Sequence, residues 1–218
     1  MKLPQFSWVH ASISDRPALQ LLAFAMLAIL VAASLTSCSE DSHEFSGAVS
    51  DPPPVIQDFV LTDQHGDEFR MSTDSGDVSV IFFGYTLCPD VCPTTLADMV
   101  KAKRILEADA DEVSFIWITV DPERDSPEVL GQRIAVFDPE FIGLSGTREI
   151  LEEVWDDFGI VVERDDTQGS AAGYLVSHTA NTYLVDRNMK NLVVFTFGTA
   201  SDDIAADVAA VLKDQKEQ

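Results

Sequence analysis

Basic residues are scarce in this chain of 218 residues. Lysine and arginine together number 14, against 37 aspartate and glutamate residues, so the formal net charge at pH 7 is −23. Proteins that bind nucleic acid use basic residues to neutralise phosphate groups, and so strong a negative charge argues against that class of partner. Acidic residues spread over a surface keep a protein soluble, and they identify no substrate by themselves.

Cysteine is also scarce, since the chain has only Cys38, Cys88 and Cys92. Cys38 ends the tetrapeptide LTSC, which resembles a bacterial lipobox, where the cysteine becomes the lipidated N-terminus after cleavage. Lipidation of Cys38 leaves one pair of thiols, which either closes a small disulfide or offers both sulfurs to another partner. A disulfide across so short a loop constrains little unfolded-chain entropy, so a purely structural purpose is disfavoured.

A long apolar run precedes Cys38 and predicts the location of the protein. The stretch from Ala18 to Leu35 reads ALQLLAFAMLAILVAASL and follows Arg16, which is typical of an export signal or a membrane span. We favour a lipoprotein signal, but an uncleaved helix stays open, because such a run at about 1.5 Å per residue nearly crosses a hydrocarbon core of about 30 Å. Either alternative predicts that residues 1–37 are a signal peptide or membrane anchor. The domain then lies in the bacterial cell envelope and faces the periplasm or the exterior.

Two further segments follow this signal. Residues 38–55, which include the run SEDSHEFSGAVSDPPPV, are polar, acidic and proline-rich, so we expect a flexible tether without a core of its own. Residues 56–218 are long enough for one sizeable domain.

Apolar patterns from residue 56 onward alternate between strands and helices. A hairpin is predicted over residues 58–71, and strands are predicted over 78–83, 113–120 and on both sides of a turn at 186–188. Helices are predicted over about 93–107, 127–137, 147–158 and 200–213, the second one capped by Asp125 or Ser126. The segment GIVVERDDTQGSAAGYLV is expected to form a strand or hairpin with a mobile acidic tip. This order predicts an α/β fold of the thioredoxin-like type, with a central mixed sheet flanked by helices and an added N-terminal hairpin.

The two remaining cysteines lie at the junction of the first predicted buried strand and the helix after it. Cys88 falls in the turn and Cys92 at the helix start, where the positive end of the helix dipole favours thiolate. Thiolate attacks disulfides and also binds soft metals. Their spacing, with three residues between them, brings both sulfurs to one side but does not separate redox chemistry from metal binding.

A histidine far along the chain helps to distinguish metal binding from redox chemistry. His178 precedes the strand around Tyr183, which a thioredoxin-like sheet places close to the thiol-bearing turn. Two thiolates suit Cu(I), and an added imidazole suits Cu(II) as well. Zinc is an alternative, but a closed structural zinc site has four protein ligands, and the sequence shows no convincing fourth.

Three motifs together resemble the SCO/SenC family, copper-binding proteins that support assembly of cytochrome c oxidase. They are GYTLCPDVCPTTL, VDPERDSPEVL and SHTANTYLVD, and the resemblance runs from about residue 56 to the C-terminal helix. It implies a thioredoxin-like fold and a copper site whose ligands are Cys88, Cys92 and His178. It also implies a metallochaperone for the binuclear copper centre, with the copper-accepting subunit of cytochrome c oxidase and an upstream copper donor or thiol reductant as partners. Family members are commonly anchored by a helix, so the lipobox departs from the family in its manner of attachment.

Other roles stay open for the same residues. Cys88 and Cys92 would be catalytic if the protein is a thiol-disulfide oxidoreductase that reduces the acceptor's cysteines, and a copper or redox sensor is a further alternative. Asp121 and Asp125 match the family motif but are expected at a strand end and a helix cap, so neither belongs to the ligand set. Phe83 and Tyr85 are expected to be packing residues.

Overall fold

The computed structural model describes residues 43–166 and 173–217. In this part of the chain, eight strands form one sheet and two more pair as a separate hairpin. The strands are β1 (Ala48–Val49), β2 (Val60–Asp63), β3 (Glu68–Arg70), β4 (Val78–Gly84), β5 (Val113–Thr119), β6 (Ile142–Ser145), β7 (Val162–Asp165), β8 (Leu175–His178), β9 (Thr182–Asp186) and β10 (Asn191–Phe195). The helices are α1 (Met71–Asp74), α2 (Val91–Leu106), α3 (Pro127–Ile134), α4 (Arg148–Phe158) and α5 (Ser201–Glu217), and a 3-10 helix, Glu107–Glu112, follows α2.

Strands β4 and β5 form the centre of the sheet because both are nearly continuous runs of apolar residues. They pair in parallel from Val78 opposite Val113 to Gly84 opposite Thr119. Strand β6 continues the parallel part, whereas β9 joins β4 in antiparallel orientation, and the full order is β1-β10-β9-β4-β5-β6-β2-β3. Because parallel strands are normally covered on both faces, this sheet needs helices on each side. The expected central mixed sheet flanked by helices is confirmed.

Alternate residues of β4 point to opposite faces of the sheet, and each face receives its own aromatic layer. On one face, Phe83 packs against Phe158 of α4, with ring centroids 5.1 Å apart. On the other face, Phe82 lies towards the start of α2. Helix α2 packs in turn against α5. The segment between β4 and α2 is therefore held at the carboxyl end of the central strand.

Most elements predicted from the sequence are present close to their expected positions. The hairpin is formed by β2 and β3, with Gly66 at φ +89° in its turn. The segment GIVVERDDTQGSAAGYLV contributes β7 and β8, which pair with each other, while its expected mobile tip at residues 167–172 lies outside the described residues. Strands β1 and β6 were not predicted, because two and four residues are too few to show a period. Helix α3 is capped by Ser126, whose hydroxyl oxygen accepts from Val129 N–H at 3.3 Å.

The expectation of a flexible tether over residues 38–55 is wrong for its described part, residues 43–55. Strand β1 pairs with β10 and extends the main sheet by one edge strand. Further along, Val55 forms an antiparallel bridge with Lys190, and Ile56 N–H donates to Met189 carbonyl oxygen at 2.7 Å. The edge of the sheet therefore supplies hydrogen-bond partners to this segment. The sequence of the segment alone does not predict them, because they lie far along the chain.

A buried carboxylate holds the beginning of this segment. His43 Nε2 lies 2.7 Å from Asp207 Oδ1 of α5, and the side chain of Asp207 is fully buried. The backbone N–H groups of Ser46 and Gly47 donate to Asp207 Oδ2 at 2.9 and 3.3 Å. Since a buried carboxylate is stable only when its oxygens are hydrogen-bonded, Asp207 and the N-terminal segment stabilise each other.

The predicted signal peptide or anchor, residues 1–37, and Cys38 lie outside the described residues. Within the described ranges, no helix has both the length and the apolar character needed to cross a bilayer.

Asp207→Ala should lower the free energy of unfolding by about 1–2 kcal/mol, because it leaves the N–H groups of Ser46 and Gly47 without their acceptor. Denaturant titration measures this loss, and hydrogen exchange should become faster at residues 46–49. Asp214→Ala, which removes an exposed carboxylate from the same helix, is the matched control and should change little. Unchanged exchange at residues 46–49 in Asp207→Ala would show that the carboxylate does not hold the segment.

Candidate metal centre

The two thiols lie where β4 passes into α2. Cys88 is in the loop after β4, and Cys92 is the second residue of α2. The side chains of both residues are largely buried, with 9% of Cys88 and 2% of Cys92 exposed. Both are free thiols. The predicted placement at a strand-to-helix turn is confirmed, and Cys88 is the sulfur nearer to solvent.

The sulfur of Cys88 supplies a hydrogen-bond acceptor at the start of α2. The N-cap residue, Asp90, makes no side-chain cap. Instead, Cys92 N–H donates to Cys88 Sγ over 3.3 Å. The first N–H groups of a helix have no partners within the helix and carry partial positive charge. The loop therefore directs a sulfur towards the helix N-terminus, where negative charge on it is stabilised.

This environment separates the acidities of the two thiols. The hydrogen bond from the Cys92 thiol lowers the pKa of Cys88 to about 4, and bonds from nearby backbone N–H groups assist, although burial opposes the shift. The same hydrogen bond, together with burial and the charge on Cys88, raises the pKa of Cys92 well above its usual range. The pair therefore loses one proton readily and retains the second.

His178 approaches the thiols from the separate hairpin. It is the last residue of β8, and its Nε2 lies 3.7 Å from Cys92 Sγ. Its Nδ1 lies 2.9 Å from the carbonyl oxygen of Thr179. A carbonyl oxygen only accepts, so Nδ1 carries the proton, and in the neutral ring Nε2 presents a lone pair to the sulfur. Such a hydrogen bond behind the ring is the usual support of a metal-binding histidine.

A tyrosine and an arginine that the sequence analysis did not single out hold this hairpin in place. Tyr174 donates its hydroxyl to Asp121 Oδ1 at 2.7 Å. The guanidinium of Arg124 stacks over the Tyr174 ring at 3.5 Å and also donates to the Tyr174 carbonyl oxygen at 3.0 Å. Tyr174 is four residues before His178, on the same face of an extended strand. That even spacing is the sequence signal that could have linked Tyr174 to the site.

Asp121 and Asp125 are structural carboxylates. Asp121 lies just after the end of β5, as predicted, but Asp125 differs from its prediction. Asp125 does not cap α3; it is fully buried and accepts hydrogen bonds from Thr86 N–H at 3.0 Å, from the Thr86 hydroxyl and from the Thr119 hydroxyl at 2.8 Å. Burial raises the pKa of Asp125. Since Thr86 is two residues before Cys88, its hydrogen bonds to Asp125 hold the loop that carries Cys88 in place. Asp121 binds Arg124 and Tyr174, so both carboxylates are already engaged.

Phe83 and Tyr85 are packing residues, as predicted. Both are buried, and the Phe83 ring lies 5.8 Å from that of Tyr183. The Tyr85 ring meets His178 edge-on at 6.0 Å, and its hydroxyl oxygen accepts from Val176 N–H at 3.4 Å. Tyr85 therefore joins the thiol loop to the hairpin that carries the imidazole.

The donor atoms are those of a soft-metal site. Two sulfurs and one imidazole nitrogen converge, and this combination suits copper in either common oxidation state better than it suits magnesium or calcium. Across residues 43–166 and 173–217, however, no group of three histidine, cysteine, aspartate or glutamate side chains is arranged so that it could hold a metal ion. The structure thus brings Cys92 and His178 together and places Cys88 beside Cys92, while the ligand set itself stays a prediction.

Gly84 leaves a small space that is bordered by Phe82, Trp117 and the sulfur of Cys92. A Cβ at this position would lie 2.8 Å from Phe82 Cε1, 2.9 Å from Trp117 Nε1 and 3.0 Å from Cys92 Sγ. Gly84→Ala should therefore displace the sulfur and lower the free energy of unfolding by about 1–3 kcal/mol, as overpacking of a core does. Denaturant titration checks the prediction. Gly131→Ala, whose Cβ would come no nearer than 3.2 Å to Gln64 Cβ, should cost much less, and equal losses would contradict the crowding at Gly84.

The two thiols should differ in their alkylation by iodoacetamide. Because thiolate is the reactive form, Cys88 should keep most of its rate as the pH falls from about 8 to about 6 and lose it only near pH 4, while the buried, protonated Cys92 reacts slowly throughout. Peptide mass spectrometry assigns each rate, with glutathione as an ordinary thiol for comparison. A Cys88 rate that falls in parallel with that of glutathione would refute the lowered pKa.

Comparison with known proteins finds matches over most of the chain. The SCO1/SenC family profile matches residues 47–213. The SCO2-like protein RT0576 of Rickettsia typhi is 35% identical over 173 residues, which cover 78% of this chain and 85% of that protein. The copper-bound structure of Bradyrhizobium japonicum ScoI is 36% identical, with a TM-score of 0.66 over 72% of this chain and 99% of that one.

Two further structures describe other properties of such proteins. A SCO1/SenC family lipoprotein from Bacillus anthracis is 27% identical, with a TM-score of 0.63 over 73% of this chain and 96% of that one. BsSco, described with a disulfide switch and as a member of the Sco family of cytochrome c oxidase assembly proteins, is 25% identical, with a TM-score of 0.60 over 74% of this chain and 95% of that one. These neighbours confirm the expected thioredoxin-like fold. The chain belongs to the SCO1/SenC family.

Proposed function

We propose that this protein is a membrane-tethered copper metallochaperone that supports maturation of the binuclear copper centre of cytochrome c oxidase. The observation that carries the proposal is the approach of His178 Nε2 to Cys92 Sγ at 3.7 Å, with Cys88 Sγ beside it, although histidine and cysteine are 86 residues apart in sequence. The copper bound to ScoI and the oxidase-assembly role of the Sco family support the choice of cargo and of acceptor.

The three donor groups are suited to hold copper and to release it. Cys88 offers a thiolate at neutral pH, and Cys92 yields its proton when a metal takes the place of that proton. His178 directs Nε2 towards the sulfur of Cys92, because its Nδ1–H is held by the Thr179 carbonyl oxygen. Three protein ligands leave a position open on the metal. A cysteine of the copper-accepting oxidase subunit can enter there and replace the protein's ligands one at a time.

The attachment to the membrane completes the proposal. Lipidation of Cys38, or an uncleaved helix over residues 18–35, would hold the domain at the outer face of the cytoplasmic membrane, where an oxidase subunit presents its copper site. The Bacillus anthracis relative is a lipoprotein, which supports the first form of attachment.

Copper stoichiometry with absorption spectroscopy tests this function. The protein should bind about one copper per chain, and Cu(II) should produce a thiolate-to-metal charge-transfer band. Cys88→Ser, Cys92→Ser and His178→Ala should each lose most of the bound copper. His65→Ala, in the exposed turn between β2 and β3, is the matched control and should bind as the unaltered protein does. Full retention of copper in all three site variants would refute the proposal.

A thiol-disulfide oxidoreductase is the second candidate, and the unequal acidity of the thiols favours it. The Cys88 thiolate would attack an acceptor disulfide, forming a mixed disulfide and releasing one acceptor thiolate. Cys92 would then lose its proton and attack Cys88 Sγ, which releases the second acceptor thiolate and leaves a disulfide between Cys88 and Cys92. An upstream thiol reductant would restore the pair. His178→Ala distinguishes the two functions, since it should abolish copper retention but leave the reduction of a model disulfide largely intact.

A further inference from the structure

One buried donor beside the thiols has no partner. Trp117, in the middle of β5, is fully buried, and its indole Nε1–H makes no hydrogen bond within the described residues. The other tryptophan of the described chain behaves differently, because Trp155 Nε1–H donates to the Thr119 carbonyl oxygen at 3.2 Å. Buried N–H groups are normally paired, so the exception at Trp117 needs a physical reason.

The position of this donor points to the sulfur of Cys92. Trp117 pairs with Phe82 across the parallel strands, and Gly84 follows Phe82 on the same face of β4. A Cβ on Gly84 would lie 2.9 Å from Trp117 Nε1 and 3.0 Å from Cys92 Sγ. The indole nitrogen and the sulfur therefore border the same small space beside Gly84 and lie at most about 6 Å apart.

Binding of a metal to the sulfur makes it a better acceptor for this N–H group. A protonated thiol is a weak acceptor, whereas a hydrogen bond to a charged acceptor is about twice as strong as a neutral one. Hydrogen bonds to a metal-bound cysteine sulfur also tune the properties of the metal. A buried indole N–H that borders the sulfur without a partner would thus gain one when the sulfur binds copper.

We propose that Trp117 is a positioning residue that donates its indole N–H to the Cys92 sulfur when copper is bound. The inference rests on the proposed function, because it requires copper to bind through Cys92. It assigns to Trp117 a part in copper retention, and it gives a reason why the indole is kept buried without a partner in the copper-free protein.

The indole N–H resonances of the full chain test the proposal directly. The protein is labelled with ¹⁵N-tryptophan, and Trp117→Phe and Trp155→Phe identify the signals of these two residues among those of the three tryptophans in the chain. One equivalent of Cu(I), which is diamagnetic, should move the Trp117 proton downfield and leave the Trp155 proton in place. An unmoved Trp117 signal in a chain that has bound copper would overturn this inference alone. A chain that binds no copper would overturn the proposed function and the inference together.

A matched pair of variants gives a second measurement. Trp117→Phe should raise the dissociation constant for Cu(I) about tenfold, as expected for loss of one hydrogen bond to a charged group, whereas Trp155→Phe should leave it within about twofold. Loss of the donor in Trp117→Phe should also move the thiolate-to-Cu(II) band to longer wavelength. Trp155→Phe, which also removes a buried indole, should leave the band in place, so that looser packing alone does not account for the change. Unfolding curves of both variants show whether each is folded. If Trp117→Phe does not fold, the resonance shift in the unaltered chain decides.

Discussion

The structure depends on one hydrogen bond, from the Cys92 backbone N–H to the sulfur of Cys88. Without a side-chain cap from Asp90, α2 would begin with exposed donors. The sulfur satisfies one of them, and in return the helix N-terminus stabilises negative charge on the sulfur. The same contact that shapes the loop therefore prepares the thiol for metal binding or disulfide exchange. Fold and chemistry cannot be changed separately at this point.

The imidazole reaches the thiols through an independent set of contacts. His178 belongs to the β7–β8 hairpin, which is not part of the main sheet. Tyr174 fastens this hairpin to Asp121 and Arg124, and Tyr85 fastens it to the thiol loop. The site is thus assembled from two structural units, and its precision depends on buried polar contacts between them. Buried polar contacts are directional, so they define a single arrangement better than apolar packing does.

In the proposed function, the different surroundings of the two sulfurs would allow one site both to retain and to release copper. Asp125 supports the loop beneath Cys88, and Gly84 and Trp117 border the more deeply buried Cys92. A shielded sulfur favours retention, because fewer solvent molecules compete for the metal. Cys88, at the outer side, is the donor that an incoming ligand meets first. The arrangement places retention and transfer on different atoms of the same pair.

Periodic patterns predicted the regular elements well, because long buried strands and amphipathic helices carry their period in the local sequence. Patterns could not reveal β1 and β6, which are too short, or the docking of His43 on Asp207, whose partners lie far apart in the chain. Likewise Asp125 and Ser126 were both predicted as possible caps of the proline-led helix. Ser126 is the cap, whereas the three donors to Asp125 come from other segments.

The amino-acid sequence by itself determined the class of chemistry, because two cysteines at a strand-to-helix turn and one histidine beside a later strand limit the donor atoms available. It also determined the order of the main strands and helices through local periodicity. Only the tertiary structure decided which nitrogen of His178 faces the sulfur, which carboxylates are already engaged and which indole N–H is left unpaired. These features arise from contacts between residues distant in sequence, and such contacts leave no local pattern.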